Sequence, residues 1–84
     1  MAAVVLTCEA RDQAAELPRV VKARVAKLVE RLEKWPQVSG AKPLSGNLAG
    51  RFRLRTGDYR VQFRVEGETV IVERVGHRDR FYNE

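Results

Sequence analysis

The sequence predicts an α+β domain: a short N-terminal strand, two helices, then a three-stranded antiparallel meander, with the helices packed on one face of the sheet. Three observations carry this expectation. The last third of the chain alternates apolar and polar residues in three runs, roughly 51–55, 59–65 and 69–75, parted by Thr56-Gly57-Asp58 and Glu66-Gly67-Glu68, which have the glycine content of hairpin turns. Upstream, apolar residues recur at helical spacing. The chain of 84 residues has room for a single domain spanning 1–84 and for no second one.

The elements follow in order. Val4-Val5-Leu6 is a short apolar run that reads as a strand. Glu9 to Glu16 places Ala10, Ala14 and Leu17 at i, i+4 and i+7, the spacing of a short amphipathic helix. Pro18 interrupts it. Proline is tolerated in a helix's first turn, and Val21, Val25, Leu28, Leu32 and Trp35 form one stripe, so a longer second helix is predicted to begin here and to end before Pro36. Its outer face, with Arg19, Lys22, Lys27, Glu30, Arg31 and Glu33, reads as solvated surface. The glycines, serines, Pro43 and Asn47 between Gln37 and Gly50 predict a connecting loop, in which Lys42 stands out as a cation.

Composition narrows the function. The formal charge of +5 fits a polyanionic partner, because a basic surface concentrates phosphate and steers association. Cys8 is the one cysteine and cannot form an internal disulfide, as in a cytoplasmic protein. The N-terminus MAAVVLT lacks the basic start of a signal peptide, and no apolar run approaches the ~20 residues that span a bilayer, so neither secretion nor a membrane partner is expected.

Charge placement is more informative. Two-residue turns at Thr56-Gly57 and Gly67-Glu68 would set Leu54 opposite Tyr59, Phe52 opposite Val61, Val65 opposite Val70 and Phe63 opposite Val72, an apolar face. Side chains alternate, so Arg51, Arg53, Arg60, Gln62 and Arg64 would share the other face, with Arg53 directly across from Arg60. Arg55 would lie at the turn opposite Asp58, in a local ion pair. Opposed like charges are destabilising, whereas an unlike pair contributes roughly 0.2–1 kcal/mol. One explanation is that the face binds an anion, guanidinium groups converging on phosphate oxygens. The other is that the arginine stems cover the sheet and splay into water, with Glu73 partly offsetting Arg64 or Arg60. On the first reading Arg51, Arg53, Arg64 and Lys42 are candidate phosphate- or RNA-binding residues.

The segment VGHRDRFYNE follows the last strand. His77 is the only histidine, the side chain type that exchanges protons most readily near neutrality. With Arg60 expected across from Val75, the chain leaving that strand would carry His77, Arg78 and Tyr82 past one edge of the arginine cluster, an arrangement suited to phosphoryl transfer. Phe81 and Tyr82 could instead close the end of the core. Carboxylates paired at a useful spacing, a Cys/His cluster, a glycine-rich phosphate loop leading into a helix and a serine in a nucleophile motif are all missing from the sequence, so catalysis without metal or cofactor is the chemistry expected.

The run KPLSGNLAGRFRLRTGDYRVQF, followed by VERVGHRDRFY, resembles the signature of the RelE/ParE superfamily of bacterial toxins, particularly its RelE branch. The two upstream helices, the WP after the second and the overall length resemble it too. The resemblance implies a RelE-like, microbial RNase-like fold and the toxin component of a type II toxin–antitoxin system. The implied activity is metal-independent cleavage of mRNA in the ribosomal A site, and the implied partner is a cognate antitoxin. The site residues carried over are Arg51, Arg53, Arg60, Arg78 and Tyr82. The implied reaction is attack of a ribose 2′-oxygen on the adjacent phosphate, leaving a 2′,3′-cyclic phosphate and a free 5′-hydroxyl. Arginine holds its proton at ordinary pH, so Arg51, Arg53 and Arg60 would bind and stabilise the phosphate. Arg78 would stand near the leaving oxygen, with Tyr82 or His77 as proton acceptor. Tyrosine is a weak base at its ordinary pKa of about 10, and adjacent cations favour its deprotonated form. Some relatives carry lysines where Arg51 and Arg53 stand, which removes any acid–base role from those two positions here.

Two other functions are compatible with such a fold: a ParE-like poison of DNA gyrase that cleaves no RNA, and a non-catalytic RNA-binding relative. The strand arginines combined with His77, Arg78 and Tyr82 favour cleavage. Aromatic residues for base stacking are scarce on the basic face, which disfavours sequence-specific single-strand recognition.

Overall fold

The computed structural model describes residues 2–78. Its elements are β1 (Ala3–Leu6), α1 (Cys8–Ala15), α2 (Arg19–Leu32), β2 (Lys42–Pro43), β3 (Arg51–Thr56), β4 (Tyr59–Glu66) and β5 (Thr69–His77), with a 3-10 turn at Gly46–Leu48. They form a five-stranded mixed sheet in the order β1-β5-β4-β3-β2, in which β1 runs parallel to β5 and the other neighbours are antiparallel. The α+β class is as predicted. The segment expected as a plain loop adds the edge strand β2, with Lys42 paired to Arg53 and Pro43 to Phe52.

The helices close one face of the sheet. Val25, Leu28 and Leu32 of α2 and Ala10 of α1 are buried against Leu54, Val61, Phe63, Val70, Val72 and Val75. This is the predicted stripe, with Val21 and Trp35 packed at its margins. Trp35 lies beyond the last turn of α2 and meets Phe52 and Phe63 edge-on, at centroid distances of 4.8 and 5.3 Å. Among the described residues no helix is long and apolar enough to cross a membrane.

The first hairpin corrects the expected pairing. Its turn is Gly57-Asp58, with Gly57 at φ 59°, and Thr56 pairs with Tyr59. Glycine at the first central position with a negative φ after it is the pattern of a II′ turn, and Gly67-Glu68 repeats it with Gly67 at φ 59°. The expected Thr56-Gly57 turn put glycine second. Moving the turn by one residue moves each pairing by two, so Arg53 faces Gln62 and Arg60 faces Arg55, while Leu54 faces Val61 and Phe52 faces Phe63. A two-residue shift preserves the faces. Arg51, Arg53, Arg60, Gln62 and Arg64 therefore share the side away from the helices, and Arg55 joins them; no Arg55–Asp58 ion pair forms among the described residues.

The second hairpin pairs Val65 with Val70 and Phe63 with Val72 as expected, then slips at Gln62/Phe63 so that Gln62 pairs with Arg74 and Arg60 with Gly76 rather than Val75. Glu73 is the extra residue of a β-bulge. Such a residue leaves backbone groups outside the ladder, and α1 supplies partners around it. The Thr7 hydroxyl donates to the Glu73 carbonyl at 3.3 Å, and the Val75 N–H donates to Gln13 Oε1 at 2.7 Å. Thr7 is also the N-cap of α1, its Oγ1 accepting from the Ala10 N–H at 3.1 Å. Thr7→Ala should therefore cost somewhat more than the ~1 kcal/mol of an ordinary cap. A urea-denaturation midpoint equal to wild type would show that the cap and its bulge contact contribute nothing.

Candidate functional site

Side chains from four strands meet on the sheet face away from the helices. Lys42, Arg53, Gln62 and Arg74 form one row through successive pairings. At about 4.8 Å between strands the row runs roughly 14 Å across the sheet. Arg55 and Arg60 form the next row toward the β3–β4 turn, and Arg51 and Arg64 the row on the other side. Three cross-strand pairs thus oppose like charges: Lys42 with Arg53, Arg55 with Arg60, and Arg51 with Arg64.

Arg60 and Gln62 are each only 4% exposed although they sit on the outer face. β4 is the middle strand of five, so both residues have a strand on either side. Arg60 Nη1 donates to the Gly57 carbonyl at 3.4 Å, which turns the guanidinium toward the β3–β4 turn. Its partner across β5 is Gly76, which has no side chain to compete for space.

Glu73 answers one of the like-charge pairs. Arg51 Nε donates to its Oε1 at 2.6 Å and Arg64 Nη1 to its Oε2 at 2.6 Å, while Arg64 Nε reaches Glu66 Oε1 at 3.2 Å. The offsetting role read from the sequence is thus met at Arg64 and Arg51 rather than at Arg60. Burial alone would push the Glu73 carboxyl up, but the bonds from Arg51 and Arg64 outweigh it and hold the group below the usual carboxylate range. Bonds to Glu73 and Glu66 raise the Arg64 guanidinium in turn. A carboxyl depressed in the folded state contributes stability above its unfolded pKa and loses it as pH falls through the folded value. Thermal melts between roughly pH 2 and 6 should therefore show wild type losing more stability on acidification, from about pH 4.3 downward, than Glu73→Gln. Parallel profiles would contradict this.

The bulge also decides two positions that strict alternation misplaces. Counting from Val70 and Val72, alternation assigns Arg74 to the core side and His77 to the arginine side. With Glu73 inserted, Arg74 shares the arginine face, where it rims a shallow depression with Glu9, Leu48 and Gln62. His77 pairs with Tyr59 on the helix side, the two rings edge-on at 5.3 Å, beside a hollow lined by Gln13, Glu16, Leu17 and Pro18. It is not brought together with the arginines. Arg78 is exposed at the end of β5, and its N–H donates to the Asp58 carbonyl at 2.7 Å, fixing it beside the β3–β4 turn and hence near the Arg55–Arg60 row. Tyr82 lies outside the described residues. Sequence reasoning missed Arg74; the available signal was that strict alternation puts this charged residue on the core side. Among the described residues no three of His, Cys, Asp and Glu converge to hold a metal ion.

A small α+β domain with a two-helix cover and a cationic outer sheet face has the architecture of the RelE-like toxins. It superposes on the toxin–antitoxin complex RelBE2 of Mycobacterium tuberculosis with a TM-score of 0.81 and 34% identity, covering 90% of this chain and 96% of that one. The isolated RelE toxin of E. coli gives a TM-score of 0.76 over 92% of this chain and 84% of that one, with 16% identity, a likeness of fold. In sequence, Toxin RelG of Mycobacterium tuberculosis is 40% identical over 67 residues, which is 77% of this chain and 76% of that protein. The family model described as ParE toxin of type II toxin–antitoxin system, parDE, matches residues 4–82, and the chain belongs to this family.

Proposed function

We propose that the protein is a ribosome-dependent endoribonuclease that cleaves mRNA in the A site and is held inactive by a cognate antitoxin. The observation that carries the reading is the cationic row Lys42, Arg53 and Arg74, flanked by Arg60, across an outer sheet face. Like charges set directly opposite one another favour an anion between them, and a phosphate chain would supply one. The likeness to RelG and RelBE2 supports both the toxin reading and an antitoxin partner.

In the proposed reaction the ribose 2′-oxygen attacks the adjacent phosphorus as its proton is taken up, and the bond to the 5′-oxygen breaks. The products are a 2′,3′-cyclic phosphate and a 5′-hydroxyl. Arg53 and Arg60 bind the phosphate and stabilise the charge that grows on its oxygens, a task suited to groups that stay protonated. Arg78, tethered next to the β3–β4 turn, stabilises the charge that grows on the leaving 5′-oxygen, which takes a proton from water to end as the hydroxyl. His77 faces the helix side, which supports giving the proton-accepting role to Tyr82.

Mapping mRNA ends after induced expression tests this. Wild type should produce new 5′-hydroxyl ends within codons, with Arg78→Ala and Tyr82→Phe reducing them by at least about a hundredfold, the low end of what such groups supply. Unchanged mRNA accompanied by inhibited DNA gyrase would replace the proposal with the reading of a gyrase poison that cleaves no RNA.

A further inference from the structure

The charges on α2 sort by flank. Lys22 and Glu30 line an apolar groove with Leu6, Ala14 and Leu17, on the side of β1 and α1. On the other flank Arg24, Lys27 and Arg31 recur at i, i+3 and i+7, and Lys34 continues the series at i+10 in the turn after the helix. At 1.5 Å per residue the series runs about 15 Å. All four side chains are exposed, and none of them forms an ion pair among the described residues. This flank borders the arginine face. Arg24 Nη1 lies 3.9 Å from the position a Cβ would take at Gly57, in the β3–β4 turn to which Arg60 and Arg78 are also bonded. Arg31 Nη2 donates to the Ser39 carbonyl at 2.6 Å, in the segment leading to Lys42 of β2. The positive surface therefore continues from the sheet, round its β3–β2 edge, onto the helix.

We infer that this flank of α2 is a second RNA-binding surface, which grips the phosphate backbone of ribosomal RNA while the sheet face holds the mRNA. A strand lying across the outer sheet face cannot also lie along α2, which covers the opposite side of the sheet. The helix meets a different RNA. Structured RNA is held largely through its phosphates and its shape, and a line of cations along one helix is the footprint of such binding. These contacts fix position and orientation without reading bases. A protein partner fits less well, because interface cores take apolar and aromatic anchors and are depleted in lysine. Beside the series the exposed large apolar side chain is Val20, and the apolar groove lies on the other flank. The inference rests on the ribosome-dependent reading and names what holds the protein to the ribosome before any cleavage.

Binding of the fluorescently labelled protein to ribosomes free of mRNA, measured over a salt series, tests the inference. Each phosphate neutralised contributes about −0.7 to the slope of log K against log salt on a single strand and about −0.9 on a DNA duplex. Lys27→Gln combined with Lys34→Gln should therefore make the slope shallower by about 1.4–1.8. Arg11→Gln combined with Lys22→Gln removes the same charge from exposed positions on α1 and on the groove flank of α2, and should leave the slope as in wild type. Equal slopes for the two double variants would overturn the inference. Wild type that ignores vacant ribosomes yet cuts the A-site codon of programmed ones would also overturn it, and would keep the proposed cleavage. A Lys27→Gln/Lys34→Gln protein that binds ribosomes like wild type but no longer holds its antitoxin would give the flank to an acidic protein, and the inference would fall. Slopes that follow the expectation while the A-site codon stays uncut would instead remove the cleavage reaction and keep the second surface.

Discussion

Arg60→Ala is expected to lower the rate of mRNA cleavage by about 10²–10³, the usual cost of deleting one donor that stabilises a developing oxyanion. Its effect on stability should be much smaller, on the order of 1–2 kcal/mol, because the lost stem packing and the bond to the Gly57 carbonyl are partly offset by relief from the facing Arg55. The contrast follows from Arg60's position. It is 4% exposed, on the middle strand, with its guanidinium turned toward the end of the sheet at which Arg78 is tethered. Single-turnover cleavage on programmed ribosomes and urea denaturation of the same sample give the two numbers. A variant that cannot fold would make the arginine face structural, and a folded variant with full activity would move the site elsewhere.

Phe63→Ala should have the largest effect on stability. Phe63 is completely buried on β4, stacked on Phe52 at 5.6 Å and edge-on to Trp35 at 5.3 Å, so it joins the sheet to the segment that leaves α2. Truncating a buried phenylalanine costs about 3–5 kcal/mol. A domain of this size has roughly 4–13 kcal/mol in total. The melting temperature should accordingly fall by at least about 12 °C, at 4–8 °C per kcal/mol for a small domain. Because Phe63 stands at the register slip, the loss should also loosen Glu73 and Arg74 on the other face. A fall of only a few degrees by circular dichroism would show that the aromatic cluster is not central to the core.

The fold was legible because its signals are periodic. The stripe from Val21 to Leu32 has only one way to bury itself, and the alternation through Phe52, Leu54, Val61 and Phe63 fixes which face meets it. The arginine face followed from the same parity, and it withstood a wrong turn because the error shifted the pairing by an even number of residues. What alternation cannot show is an interruption of itself. The bulge at Glu73 reverses the parity of everything after it, which brings Arg74 onto the charged face and turns His77 to the helix side. A sign was present in hindsight, since strict alternation from Val72 would have put the charged Arg74 into the core and the apolar Val75 out of it. The strand β2 has two residues, too few for any period to register. Its pairing nonetheless gives Lys42 a definite place, directly across from Arg53.

Cleavage of RNA on the ribosome by this arginine face can be measured with purified components: the protein, ribosomes carrying a defined mRNA with an open A site, and the same mRNA alone. A cut within the A-site codon is expected only when the ribosome is present, leaving a 2′,3′-cyclic phosphate, and it should be lost in Arg60→Ala. Intact mRNA in both mixtures, from protein that still arrests growth and inhibits DNA gyrase, would contradict it.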